Sequence, residues 1–294
     1  MAAIFFVATF VFTAWGLSRV IAPETDIEVS ILTRQNAGAY RAAAVWGASF
    51  LVFVIASIWT AILALTIVRR YLATGLRLVI LVVAGLLSVV GLLMNQWYVK
   101  ETSDAPLRMI FAAGIPIYQM TAIGNSIAVG VVVLSIAASC SLMRRPRRLS
   151  AQSLRNRIEY SRLSLFSAAI FLIAGVAEIY FLNDWPAHVY VGATSGLDRN
   201  SLHELAVTMG IIVGVMYSTV LLAVYVPLMA VQEQWVRVAA ERAVNGTTDG
   251  DPQKWREMQM LSRTVFATFA QILAVVGPSL AALGIPKLLV GMGA

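Results

Sequence analysis

The stretch LVILVVAGLLSVVGLLM, residues 78–94, decides the fold of this chain. It carries no charged side chain, and the nearest charges are Arg77 and Lys100. A bilayer core about 30 Å thick is crossed by about 20 helical residues, whose backbone groups must pair within the helix itself. The stretch therefore predicts a transmembrane helix.

The rest of the chain has the same character. Of its 294 residues, 59% are hydrophobic and 13% are charged, and the mean hydropathy is +0.79. Soluble domains carry about 25% charged residues. We predict an all-α, polytopic transmembrane helix bundle of about seven spans, near residues 3–22, 44–68, 76–97, 117–142, 163–182, 204–231 and 264–285. These spans leave no room for a soluble catalytic domain.

The basic residues indicate the orientation of the bundle. Fifteen of the 22 Lys and Arg residues fall in three connections, at 69–77, 144–162 and 237–263. Clustering of this kind is typical of cytoplasmic loops. We therefore expect a cytoplasmic N-terminus, anionic lipid headgroups as partners of these clusters, and no nucleic acid. Because arginine greatly outnumbers lysine, as in GC-rich bacterial genomes, we predict a multi-pass protein of a bacterial inner membrane.

The C-terminal third allows alternatives. Residues 1–231 are predicted to hold the first six spans, and residues 264–294 a seventh helix. Pro278, Gly284 and Pro286 interrupt that helix, so a re-entrant helix that returns the tail to the cytoplasm is the alternative to a full span.

Residues 232–263 are predicted to form a short cytoplasmic helical hairpin. Its first arm extends the sixth span as far as Asn245-Gly246, and Asp251 followed by Pro252 starts the second arm as N-cap and first helical residue. The second arm is expected to continue into the last helix, with Ser262 and Phe266 on its stripe. Trp235 and Trp255 lie on the apolar stripes. They either pack on each other or form a docking surface for a partner or a second subunit.

Glu178 is the clearest candidate for a functional group. It lies within the fifth predicted span, and a charge at the bilayer centre costs at least about 2.5–3.5 kcal/mol. Ser164, Ser167, Phe171 and Gly175 share its helical face, which suggests that this face points into the bundle. Glu178 is either an ion, proton or ligand contact or an ordinary interhelical hydrogen-bonding group.

Polar and small residues on other spans complete the set of candidates. Tyr118, Thr121 and Asn125 recur on one face of the fourth span, and Tyr217 lies on the sixth. Together with Glu178 they line a polar pocket, or they form interhelical hydrogen bonds of about 0.6 kcal/mol each. Gly210 and Gly214 form a small-xxx-small motif that predicts close helix packing.

Several chemistries are disfavoured. With one cysteine and two histidines, His188 and His203, we expect no catalytic residues, no metal site and no cofactor. His203-Glu204 begins an HExxH-like string, but Val207 replaces the second histidine. A zinc site from the two histidines with Asp184 and Asp198 has no recognised spacing.

These observations favour a non-catalytic pore, transport or membrane-complex subunit, assembling with itself or with other membrane proteins. One alternative is a membrane-anchored scaffold that recruits a protein through the cytoplasmic hairpin. Another is a membrane enzyme that acts on lipid through His188 or His203.

Overall fold

The computed structural model describes residues 37–101, 117–146, 149–189, 199–244, 251–259, 261 and 265–291. Seven α-helices make up nearly all of these ranges: α1 (Ala37–Tyr71), α2 (Thr74–Glu101), α3 (Ile117–Leu142), α4 (Ala151–Val189), α5 (Arg199–Val244), α6 (Pro252–Met258) and α7 (Val265–Gly291).

Within the described ranges, six helices are long and apolar enough to cross a membrane. They are α1 to α5 and α7, so the predicted all-helical membrane architecture is confirmed at this level. The predicted first span, residues 3–22, lies outside the described residues. The last predicted span is one helix that continues through Pro278 and Pro286. Its apolar part covers Thr268–Pro286, and its course as a full span or a re-entrant helix stays a prediction.

Helix α4 is longer than its apolar segment. The sequence predicts a span over 163–182, whereas α4 begins at Ala151. The added turns are amphipathic, and their apolar side packs Leu154 into a cluster with Val236 and Ala239 of α5. This packing stabilises helical structure in a segment that hydropathy alone assigns to a connection.

Helix α5 extends past its apolar segment to Val244, as the helical spacing of its last turns predicts. The N-cap of α6 also agrees with the sequence, because an Asp251 carboxylate oxygen accepts a hydrogen bond from the backbone N–H of Gln253 at 2.8 Å. However, α6 ends at Met258 and does not continue into α7 as predicted. The backbone N–H of Leu261 bonds to the Arg256 carbonyl, five residues back, at 2.8 Å, so the helical i→i−4 pattern ends there. Ser262 lies outside the described residues.

The bundle is organised around α4. Helix α1 packs against α4, and so do α5 and α7. Helix α3 lies in space between α1 and α2 and contacts both. In the most apolar 18-residue segment of α4, 67% is buried inside the protein, whereas in that of α2 only 6% is buried. Leu78, Val79 and Leu86 of α2 are among the exposed side chains. Among the described spans, α2 is therefore the least buried by the rest of the chain.

Helices α5 and α7 approach most closely at Gly214. A Cβ atom placed on Gly214 lies 2.6 Å from the carbonyl oxygen of Pro278 and 2.8 Å from the Cβ of Ala282. The hydroxyl of Ser279 donates to the Gly214 carbonyl at 3.2 Å. Gly210, the other glycine of the predicted motif, lies against the ring of Tyr180. Both glycines therefore occupy helix–helix contacts.

Replacing Gly214 with Ala is expected to destabilise the protein. The new methyl group must displace the backbone of α7, and overpacking of this kind costs about 1–3 kcal/mol. Gly85→Ala is the matched control, because an added Cβ there meets nothing within 4 Å. Thermal unfolding in detergent measures both variants. Equal midpoints for the two variants contradict the described α5–α7 contact.

Candidate functional site

The face of α4 that carries Glu178 points into the bundle. Ser164, Ser167, Phe171 and Glu178 recur at helical spacing, and each is at most 5% exposed. Residues three, four and seven apart share a side of a helix, so one stripe of α4 buries all four. The stripe that the sequence predicts as interior is interior.

Glu178 lies where three helices meet. Its carboxylate is 3% exposed, and Oε1 accepts a hydrogen bond from the indole Nε1–H of Trp46 on α1 at 3.1 Å. The ring of Tyr217 of α5 approaches α4 one turn before Glu178, at Gly175. Gly175, one turn away on α4, makes room for these neighbours: a Cβ there lies 3.4 Å from the rings of both Phe53 and Tyr217.

Aromatic rings surround the Trp46 indole that bonds to this carboxyl. The ring centroid of Trp46 lies 5.5 Å from that of Phe50 and 5.7 Å from that of Trp185. Trp46, Trp185 and Leu182 form a buried cluster of their own. Among the described residues, Glu178 therefore has the Trp46 indole as its hydrogen-bond donor, in a largely apolar environment. In such an environment a hydrogen bond to a charged group is stronger than it is in water.

Toward the N-terminus of α4 from Glu178, the same stripe is covered by stacked rings and by interhelical hydrogen bonds. The rings of Phe53 and Phe171 stack with their centroids 5.5 Å apart. Beyond them, α4 hydroxyls pair with neighbouring helices: Ser167 with Thr60 of α1 at 2.8 Å, Ser164 with Tyr225 of α5 at 2.8 Å, and Ser161 with Gln232 of α5 at 3.0 Å. These polar groups are used in interhelical hydrogen bonds, and the stacked rings separate them from Glu178.

The predicted residues of α3 lie on a helix that packs against α1. Thr121 is buried and Asn125 is half-buried; the side chain of Tyr118 lies outside the described residues. Gly124, next to Asn125, lies against the ring of Phe50 of α1. A role for these α3 residues beside Glu178 stays a prediction.

A second polar cluster lies at the end of the bundle where α4 ends and α5 begins. The two oxygens of Asp184 meet His203 Nδ1 at 2.7 Å and His188 Nε2 at 3.2 Å. Asp184 is 6% exposed, and the ring of Tyr180 meets His203 edge-on. A buried carboxylate between two imidazoles ties α4 to α5 across their connection. The sequence suggested this grouping only as a weak zinc hypothesis.

The geometry does not favour that hypothesis. Among the residues that the structure describes, no group of three or more His, Cys, Asp or Glu side chains is arranged to hold a metal ion. Asp184 lies between the histidines and uses a different oxygen for each. Asp198, the fourth proposed ligand, lies outside the described residues.

The arginine-rich end of the bundle contains a residue that sequence reasoning missed. Arg157 is 7% exposed, and its Nη1 donates to the backbone carbonyls of Leu142 at 3.0 Å and Arg144 at 2.8 Å. It thus supplies partners to carbonyls that the end of α3 leaves without intrahelical bonds. Its guanidinium carbon lies 4.6 Å from the ring centroid of Tyr71 and 5.7 Å from that of Trp235. The apolar spacing of Leu154, Ile158 and Leu165 was the available signal for a helix here.

The two tryptophans proposed as a partner interface are partly buried within the chain. Trp235 and Trp255 both pack against a cluster of Leu154, Val236, Ala239 and Leu261. An ion pair between Arg256 and Glu233 joins α6 to α5 next to them. This arrangement agrees with the expectation that the two stripes pack together, and a partner-binding role for the tryptophans stays a prediction.

Comparison with known proteins adds no name to this arrangement: no family model, no curated protein and no solved structure matches the chain.

Replacing Trp46 with Phe is expected to lower the free energy of unfolding. It removes the donor to a buried carboxyl, and a buried group left without its partner costs about 1–3 kcal/mol. Trp59→Phe makes the same change at a side chain that is 65% exposed and is expected to be nearly neutral. Thermal unfolding in detergent compares them. A midpoint that falls equally in both variants means that the hydrogen bond to Glu178 contributes nothing.

Arg157→Met is expected to destabilise the protein by about 3 kcal/mol or more, since two hydrogen bonds from a charged donor are lost while the aliphatic stem is kept. Arg155→Met is the control two residues away. Arg155 is exposed and pairs with Glu159 along the same helix, an interaction of at most about 0.5 kcal/mol. Denaturant titration of the purified protein measures the difference, and similar losses in the two variants contradict the capping role.

Proposed function

We propose that the protein is a non-catalytic transport subunit of a membrane and that Glu178 binds and releases a transported proton. The observation that supports this proposal is the carboxyl itself, which is buried inside a span-length helix and hydrogen-bonded to Trp46. Intramembrane carboxyl groups are costly and mark ion or proton pathways. No cation pairs with Glu178 among the described residues, so salt-bridge formation does not explain its position.

The surroundings of Glu178 favour a proton over a metal cation. Metal cations such as Mg²⁺ or Ca²⁺ require about six or more oxygen ligands. The described environment of the carboxyl offers an indole N–H and aromatic rings, which are poor ligands for such ions. A proton needs a single carboxylate oxygen.

Proton binding at this site is coupled to helix packing. An ionised carboxylate accepts a stronger hydrogen bond than a neutral carboxyl group does. Protonation of Glu178 therefore weakens the Trp46 contact, which holds α1 to α4. When this contact loosens, α1 is held less tightly to α4. The protonation state of Glu178 is thereby linked to the arrangement of the two helices.

Glu178→Gln is expected to reduce proton flux to that of protein-free liposomes, because the glutamine amide does not take up and release a proton near neutral pH. The measurement is fluorescence of a pH-sensitive dye inside proteoliposomes, with a potassium gradient and valinomycin as the driving force. Glu204→Gln is the matched control, since Glu204 is an exposed carboxylate near the start of α5.

Three outcomes are informative. Loss of flux in Glu178→Gln with flux retained in Glu204→Gln supports the proposal. Undiminished flux in Glu178→Gln removes Glu178 from the pathway. Wild-type protein that raises no flux above liposomes rejects the proton-transport function.

The two alternatives receive less support from the structure. For the scaffold, the candidate tryptophans already pack inside the chain, which leaves less of their surface for a partner. For the lipid-modifying enzyme, both histidines are used in contacts with Asp184: His203 bonds to it from α5 and so joins α5 to α4, and His188 bonds to it within α4.

A further inference from the structure

Three arginines lie at the arginine-rich end of the bundle, where α1 and α3 end and α4 begins; Arg144 contributes its backbone carbonyl to the contacts between them. Arg157 donates to the carbonyl of Arg144 and lies over the ring of Tyr71. Arg70, the neighbour of Tyr71, donates from Nη1 to the hydroxyl of Tyr160 at 2.9 Å. We call Arg70, Arg144 and Arg157, with the tyrosines that support them, the arginine cluster.

Aromatic rings hold the cluster together. Tyr71 and Tyr160 meet edge-on with their centroids 6.0 Å apart. Arg157 lies over the first ring, and Arg70 lies 5.3 Å from the centroid of the second. Each guanidinium is thus fixed by an aromatic face, which lowers the entropy lost when it binds a ligand.

The cluster carries positive charge that no described carboxylate balances. Arg155, Arg237 and Arg256 each form an ion pair with a glutamate. The three arginines of the cluster form none within the described chain. The C-terminal ends of α1 and α3 each contribute roughly half a negative charge. About two positive charges are therefore left over.

We propose that the arginine cluster binds the phosphate of an anionic phospholipid headgroup. Arg70 and Arg144 are exposed and available to a ligand. Arg157 is buried beneath them and contributes positive charge without direct contact. A guanidinium matches phosphate through paired N–H donors. The cluster lies at the ends of span-length apolar helices, where a lipid places its phosphate next to its acyl chains.

A lipid explains the site better than free phosphate does. Exposed apolar side chains such as Leu163 lie on α4 just beyond the cluster, and they offer a surface for acyl chains. The proposal identifies which of the chain's basic residues bind a headgroup. It is independent of proton transport at Glu178, so either proposal can fail without the other.

The test uses the purified full-length protein in a neutral detergent and measures lipid binding by native mass spectrometry. Phosphatidylglycerol and phosphatidylcholine with identical acyl chains are compared, and inorganic phosphate is added as a competitor of phosphatidylglycerol. The variants are Arg70→Gln with Arg144→Gln, and Arg155→Gln as a control whose arginine is already paired. Thermal unfolding without lipid verifies that each variant is folded.

We expect the wild type and Arg155→Gln to retain phosphatidylglycerol, and the double variant to bind it more weakly by about tenfold or more, because two cations near the membrane are lost. Equal retention of the two lipids overturns the proposal, as does unchanged binding in the double variant. Competition by inorganic phosphate at a comparable concentration means that the site recognises free phosphate and not a lipid.

Discussion

Inside a bilayer, backbone polar groups must pair within the protein because hydrocarbon offers no partner, and buried polar side chains are stabilised by pairing across helices. Helix α4 shows what this constraint does to the fold. Its serines bond to Thr60 of α1 and to Tyr225 of α5, and its carboxyl bonds to Trp46 of α1. A helix with such a face cannot be peripheral. Helix α2 is the least buried of the described spans.

At each end of the bundle a buried charged group connects neighbouring helices, and the two groups have opposite charges. At one end a buried carboxylate, Asp184, lies between His188 and His203. At the other end a buried guanidinium, Arg157, donates to helix-terminal carbonyls and lies over aromatic rings. In both cases the charged group connects different helices. The ends are thereby joined by charged groups, while the middle is held by apolar packing, by close approach at Gly214 and by hydrogen bonds between neutral side chains.

Between these ends, Glu178 is the group whose position packing alone does not require. An apolar side chain of similar size satisfies the same space without a desolvation cost. Its single hydrogen bond joins α1 to α4, so a change in its protonation acts directly on a contact that organises the bundle. The stacked rings of Phe53 and Phe171 close the face next to it.

The amino-acid sequence alone determined the membrane class, the positions of the described spans, the interior face of α4 and the N-cap at Asp251. These follow from local rules, since hydropathy, helical period and capping depend on residues close together in the chain. Only the tertiary structure decided that Trp46 meets Glu178. It also decided that Arg157 is buried and that Asp184 joins two histidines. These contacts depend on which helices are neighbours, and helices in lipid choose neighbours by side-chain shape and hydrogen bonding across the bundle, which local patterns do not encode.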